Sequence, residues 1–270
     1  MTDALLEIDH LRQWIGRAGT AEDTVSARLV AGYLVVLDDL KPDLEVGEAA
    51  PLAIHGCLAP AARPLSQLGL DGYPERGGLL PPVPLPHWMW AGGQIDLCGR
   101  FFVVDVVTRN STVREVVLKS GRSGALCFVT VDHAFTGPQG LVLTERHDIV
   151  YRAPRNPDAP APLIPQSPKA RWSYSVMANP VLLFRYSAIT FNGHRIHYDR
   201  DHAIKAEGYA GLVGPRPSAS HDDAGIRRPS ARHSTPELRL SRHQPADRRR
   251  SFHGERSGNV GRPASVDCGL

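Results

Sequence analysis

Between residues 101 and 152 four apolar segments follow one another with little chain between them. FFVVDVV (101–107), STVREVVLKSG (111–121), GALCFVTVDHAF (124–135) and LVLTERHDIVYR (141–152) are rich in β-branched and aromatic residues. The last two alternate apolar with polar, the period of a half-buried strand. Gly121-Arg122-Ser123-Gly124 and Gly137-Pro138-Gln139-Gly140 are turn signals. Strands joined by such short turns run antiparallel, because a parallel pair needs a crossover of about a dozen residues. Ahead of them, ALLEIDHLRQWIG (4–16) puts Leu5, Ile8, Leu11 and Ile15 on one helical face. Thr24 or Ser26 suits the cap of a second helix, whose apolar run passes through Leu29, Val30 and Leu34 to Leu37. Helices followed by antiparallel strands predict an α+β fold.

Prolines divide the rest. RGGLLPPVPLPHWMWAGG (76–93) holds four prolines, four glycines and two tryptophans. Proline removes ladder donors, so this stretch predicts a loop or an irregular edge rather than a central strand. Residues 153–170 hold six prolines and predict a linker. Beyond it, Pro180 precedes a short strand or helix start at Val181–Phe184, and His202–Glu207 suits a helix. Residues 211–270 hold 11 arginines, no lysine, 6 acids, six prolines, eight serines and one aromatic residue, Phe252. Such a stretch cannot bury enough apolar surface to offset its ordering entropy.

Apolar residues are 42% of the 270, enough for a packed core. No apolar run reaches the roughly 18 residues of a bilayer span. Asp3, Glu7 and Asp9 stand where a signal peptide carries positive charge. Cys57, Cys98, Cys127 and Cys268 are scattered, with no CxxC pair, which argues against a disulfide framework or cysteine zinc site. These features together predict a cytoplasmic protein.

Two groups of strings carry a family resemblance. One is GGLLPPVPLPHWMWAGG with the later KSGRSGALCFVTVDH and ERHDIVYR; the other is FRYSAITFNGHRIHYDRDHAIKAEGYAGLV. Over roughly residues 5–213 they resemble the MaoC-like hot-dog hydratases and dehydratases. Within that family they resemble the subgroup with a fungal fatty-acid-synthase-type dehydratase N-terminal half, which includes 3-hydroxyacyl-thioester dehydratase type 2 and the itaconyl-CoA and mesaconyl-C4-CoA hydratases. The resemblance implies a double hot dog, each unit an antiparallel sheet wrapped round a central helix. Its units fall at 1–152 (N-terminal hot dog), 153–170 (linker) and 171–213 (start of the catalytic hot dog), with 214–270 a disordered tail. The second hot dog is therefore incomplete.

The implied reaction is reversible, (R)-specific addition of water across a 2,3-enoyl thioester of CoA or an acyl carrier protein. The implied chemistry needs neither metal nor other cofactor, and neither a nucleic-acid nor a membrane partner. The partner is a second copy of the chain or another hot-dog subunit. Water must be held and deprotonated, the thioester oxygen stabilised as charge develops, and the acyl chain kept from bulk water. In the family a polar residue and a histidine five positions on form the water-activating pair. Asn192-Gly193-His194-Arg195-Ile196-His197 occupies that stretch, making His197 the candidate base and Asn192 the water or substrate orienter. Asn192 stands where many relatives carry Asp, and an amide does not ionise. His194 or Asp199 is placed to assist. His194, Arg195 and Gly214 are the candidate substrate-binding residues, Gly214 standing where the family's helix N-terminal glycine lies.

Other readings compete. His194, His197, Asp199 and His202 also have the makings of a metal site. Trp88 and Trp90 read as packing, Gly92-Gly93 follows no nucleotide fingerprint, and Lys119 and Arg122 read as a solvated turn. The arginine-rich tail lacks the lysines and interleaved aromatics of a nucleic-acid arm. A non-catalytic hot-dog subunit is the alternative function. After Gly211-Leu212-Val213 the resemblance stops: Pro215, Pro217, Asp222 and Asp223 do not suit the buried helix that relatives place there. Advancing the reading frame by one nucleotide through RPSASHDDAG permits codons for an apolar helix, so a frameshift near residue 213 is expected.

Overall fold

The computed structural model describes residues 7–39, 43–121, 124–154, 177–215 and, as backbone, 237–240. Its elements are α1 (Ile8–Arg12), β1 (Ala18–Thr24), α2 (Ala27–Val36), β2 (His87–Leu97), β3 (Val106–Gly121), β4 (Gly124–Gly137), β5 (Gly140–Arg152), α3 (Pro180–Ile189), α4 (Arg200–Lys205) and β6 (Glu237–Leu240). Short 3-10 turns lie at Leu52–Cys57, Leu65–Gln67 and Arg195–His197. The strands form one antiparallel sheet in the order β1-β3-β4-β5-β2-β6. The α+β expectation holds.

β3, β4 and β5 follow the two turn signals, with Gly121 facing Gly124 and Gly137 facing Gly140. Both Gly124 and Gly140 have positive φ, which glycine adopts without strain. Ser26, not Thr24, caps α2, its hydroxyl accepting from Leu29 N–H.

Three local readings are corrected. FFVVDVV is not a strand throughout. The Asp105 carboxylate accepts the Phe102 N–H at 2.8 Å, a side-chain bond that competes with the ladder, and β3 begins at Val106. Residues 76–93 are not all loop. The prolines stop at Pro86, and β2 starts at His87 and runs between β5 and β6. A register shift between Trp90 and Gly92 takes up the glycines. β1, AGTAEDT, has no strand signal in its composition and is made by pairing with β3.

The linker beyond residue 154 and the tail at 216–236 and 241–270 lie outside the described residues. Within the tail, β6 pairs with Gly93–Asp96 of β2, where no strand period was expected. Cys57 and Cys127 are buried free thiols, whereas Cys98 is disulfide-bonded, a departure from the unpaired cysteines expected. No helix among the described residues is long and apolar enough to cross a membrane.

Two apolar clusters sit on the inner face of the sheet. One joins Val107, Phe135 and Leu143 to Val30 and Tyr33 of α2, Ile54, and Tyr186 of α3. The other joins Val113, Val131 and Ile149 to Leu11 of α1, Val83 and Leu85. A band of polar side chains separates them, because strand alternation brings His133 of β4 opposite Glu145 of β5, with His147 next along. α2 also packs on α3, close enough that a Cβ on Gly32 would stand 3.0 Å from Ile189 Cδ1.

Candidate active site

α3 delivers the loop that carries the predicted residues. Asn179 caps it, its side-chain oxygen accepting Leu182 N–H at 2.9 Å, and Pro180 occupies its first turn. The helix ends where the Thr190 hydroxyl donates to the Tyr186 carbonyl at 2.8 Å. Phe191 then takes a left-handed φ of 53°. Asn192 closes the following turn, its side-chain carbonyl accepting His194 N–H at 3.1 Å. Asp199 caps α4 through His202 N–H at 3.0 Å.

His197 is buried and its Nδ1 lies 2.7 Å from the Val213 carbonyl oxygen. A carbonyl only accepts, so Nδ1 carries the proton and Nε2 presents a lone pair. Burial pulls its pKa down to about 4, the bond to Val213 partly opposing. The ring is therefore neutral, and in its basic form, at pH 7. Val213 N–H donates back to the Ile196 carbonyl at 2.9 Å, so two bonds hold the Val213 segment against this turn.

His194 is buried against His197 edge-to-face, with centroids 5.5 Å apart, and stacks on Trp88 of β2 at 4.7 Å and 11°. Burial, then the neighbouring His197, lowers its pKa to about 3. Its Nε2 is buried with no hydrogen-bond partner. Trp88 in turn donates from Nε1 to Asp71 Oδ2 at 2.8 Å and touches the Tyr73 ring.

Arg195 takes a clamping position. Its Nε and Nη2 donate to Asp199 Oδ2 at 3.1 and 2.7 Å, and Nη1 to the Leu70 carbonyl at 3.0 Å. Its backbone N–H donates to the Asp71 carbonyl. Gly72 and Gly193 meet beneath it: a Cβ on Gly72 would lie 2.3 Å from Gly193 O, and one on Gly193 2.5 Å from Gly72 O. Gly214 follows Val213 directly. Its N–H shares a trans peptide with the carbonyl that holds His197, and points away from that imidazole.

The fold thus brings Asn192, His194, Arg195, His197 and Gly214 to one place, with distinct jobs: turn closure for Asn192, a ring wall for His194 and a clamp for Arg195. Lys119 lies over the Phe128 ring, and Arg122 lies outside the described residues.

The profile of the hydroxyacyl-thioester dehydratase type 2 family matches residues 53–217, from the first 3-10 turn through the His197 loop. This chain belongs to that family. It is 39% identical over 202 residues to mesaconyl-C(4)-CoA hydratase of Chloroflexus aurantiacus, covering 74% of this chain and 72% of the relative. It is 35% identical over 180 residues to the mitochondrial hydroxyacyl-thioester dehydratase type 2 of Schizosaccharomyces pombe, covering 58% and 59%. A MaoC-like dehydratase of Phytophthora capsici superposes with a TM-score of 0.55 at 13% identity over 81% of this chain and 76% of that one. HtdX of Mycobacterium tuberculosis superposes with 0.52 at 19% identity over 84% of each. These structures share the MaoC-like hot-dog fold.

For this hydroxyacyl-thioester dehydratase type 2 family member, sequence reasoning missed the N-terminal side of the site. Asp71, Tyr73 and His87 lie more than a hundred positions from His197 and form no spaced motif with it. His87 Nδ1 meets Glu207 Oε2 at 2.5 Å, tying β2 to the segment after α4.

Proposed function

We propose that this chain adds water reversibly and (R)-specifically across the double bond of a 2,3-enoyl thioester, with His197 as the base. The observation that carries the reading is the Nδ1–Val213 bond, which leaves Nε2 as the acceptor. Water oxygen bonds to C3, Nε2 takes the water proton, and the π electrons move toward the thioester oxygen. The enolate then re-forms the thioester carbonyl as C2 takes that proton back from Nε2, which returns His197 to its neutral form. Asn192 keeps its side-chain N–H₂ to orient water or substrate while its carbonyl holds His194. The thioester is carried by CoA or an acyl carrier protein, and a second copy of the chain or another hot-dog subunit completes the assembly. A cytosolic location goes with this reading.

Crotonyl-CoA hydration tests it. His197→Ala is expected to lower kcat by about 10²–10⁴-fold with the thermal midpoint monitored in parallel. An unchanged rate overturns the role of His197. A second reading, a non-catalytic hot-dog subunit, is favoured by the commitment of the Asn192 carbonyl to His194 N–H. It predicts the same rate for the wild type and His197→Ala when a catalytic partner is present.

On this proposal the tail after residue 213 is out of frame, which leaves the chain slower than its Chloroflexus relative. Resequencing codons 205–270 checks this; an in-frame run encoding the present tail in independent clones removes it.

A further inference from the structure

Residues 196–213 make a closed excursion of the chain. α4 leads away from His197, Gly208 turns the chain back with a φ of 71°, and Tyr209 N–H donates to the Ala203 carbonyl at 2.9 Å. The two ends meet where Val213 bonds Ile196 and His197. The Val213 carbonyl sets the His197 tautomer, so the tautomer depends on whatever fixes this excursion.

The turn after α4 holds a carboxylate that the water-addition chemistry does not use. Glu207 lies between two imidazoles, its Oε2 2.5 Å from His87 Nδ1 on β2 and its Oε1 4.0 Å from His202 Nε2 on α4. The side chains of His87, Glu207 and His202 are only 12, 9 and 10% exposed. Removing one partner of such a buried pair leaves the other uncompensated. Glu207 N–H also donates to the His202 carbonyl at 3.2 Å, which joins the two residues through their backbones as well.

Both histidines adjoin the rings of the site. His87 precedes Trp88, whose indole stacks on His194. His202 is near enough to His194 that its charge opposes protonation of that ring. His194 in turn lies edge-on to His197. The N-terminal half thus grips this region twice, through Leu70 and Asp71 on Arg195 and through His87 on Glu207.

We propose that Glu207 is a positioning residue: by fastening the turn after α4 to His87, it keeps the Val213 carbonyl on His197 Nδ1 and leaves Nε2 free to act as the base. The effect on rate rests on the thioester reading above; the place of the proton on the ring does not.

Nitrogen-15 NMR of the histidine-labelled full chain reads that proton directly, with the His197 signals assigned by their loss in His197→Gln. The wild type is expected to show the Nδ1–H form. Glu207→Ala is expected to turn His197 into a mixture of both tautomers and to lower kcat for crotonyl-CoA hydration by about 10–10²-fold, with KM little changed. Glu207→Gln keeps an oxygen for His87 Nδ1 and restores the Nδ1–H form and most of the rate. A merely structural role lowers the thermal midpoint without altering the ring. If Glu207→Ala does not fold, His87→Ala breaks the same contact from the β2 side. An Nε2–H form of His197 in the wild type, or an unchanged Nδ1–H form in Glu207→Ala or His87→Ala, overturns the proposal. A tautomer change with no change in hydration rate upholds the positioning and overturns the thioester reading instead.

Discussion

Trp88 and His194 stack nearly parallel, 4.7 Å between centroids, and so join β2 of the N-terminal half to the loop that carries His197. Asp71 fixes the indole from its other edge. Removing the ring in Trp88→Ala costs about 3 kcal/mol, the lower end for such truncations because the residue is only half-buried. Hydratase activity falls with it. Trp88→Phe keeps a ring against His194 but not the bond to Asp71, and loses less than half as much. Denaturant titration beside the crotonyl-CoA assay separates the two variants.

Gly72 and Gly193 approach so closely that neither tolerates a side chain. Each added Cβ would fall on a backbone carbonyl, and Gly72 also has a φ of 81°. Gly72→Ala and Gly193→Ala are each expected to cost upwards of about 2 kcal/mol. The double variant loses less than the sum, because both break one contact. A double-mutant cycle on unfolding midpoints measures the shortfall.

Arg195→Ala frees the Leu70 carbonyl and Asp199 together. With the guanidinium partly exposed, the loss is about 1–3 kcal/mol. Lysine does not rescue it, since one ammonium cannot reproduce donors fixed on both Asp199 and Leu70. Thermal midpoints of the two variants should lie within about 2 °C of each other.

Stability depends on pH in two opposing ways. His55, His133, His147, His194 and His197 all have native pKa values of about 3 to 4, against 6.5 unfolded. Below pH 6.5 the unfolded chain binds more protons at these sites, so their contribution falls steadily on acidification towards pH 4. Glu145 runs the other way. Its native pKa of about 7 lies above the unfolded 4.5, so the folded chain holds the extra proton and the contribution of this group is lost as pH rises from 4.5 through 7. Glu145→Gln is therefore expected to gain stability relative to wild type at pH 8 and to lose that advantage by pH 5. Urea midpoints at the two pH values check it.

The legible parts of the fold were those whose pattern is local. Gly121–Gly124 and Gly137–Gly140 mark both hairpins because a positive φ leaves a residue signature. β1 left none, since AGTAEDT is a strand only through its pairing with β3. β2 was hidden by the prolines in front of it, although its ladder starts one residue after Pro86. At the candidate site, Asn192 and His197 are proposed from family resemblance. The partner that sets the His197 tautomer, the Val213 carbonyl, is a backbone atom sixteen residues away and has no side-chain signature. The polar band was the least visible. His133, Glu145 and His147 look like the wet side of an alternating strand until register puts them on the inner face.

That band has a mechanical consequence. With His133 and Glu145 interrupting the apolar face, the sheet rests on two small oily patches rather than one broad one, and β3, β4 and β5 run over both. Each patch is free to loosen on its own account while its neighbour stays shut. Amide exchange along β4 should then show two slow zones, around Val129 and around Phe135, with a faster notch at His133 that deepens when the pH drops.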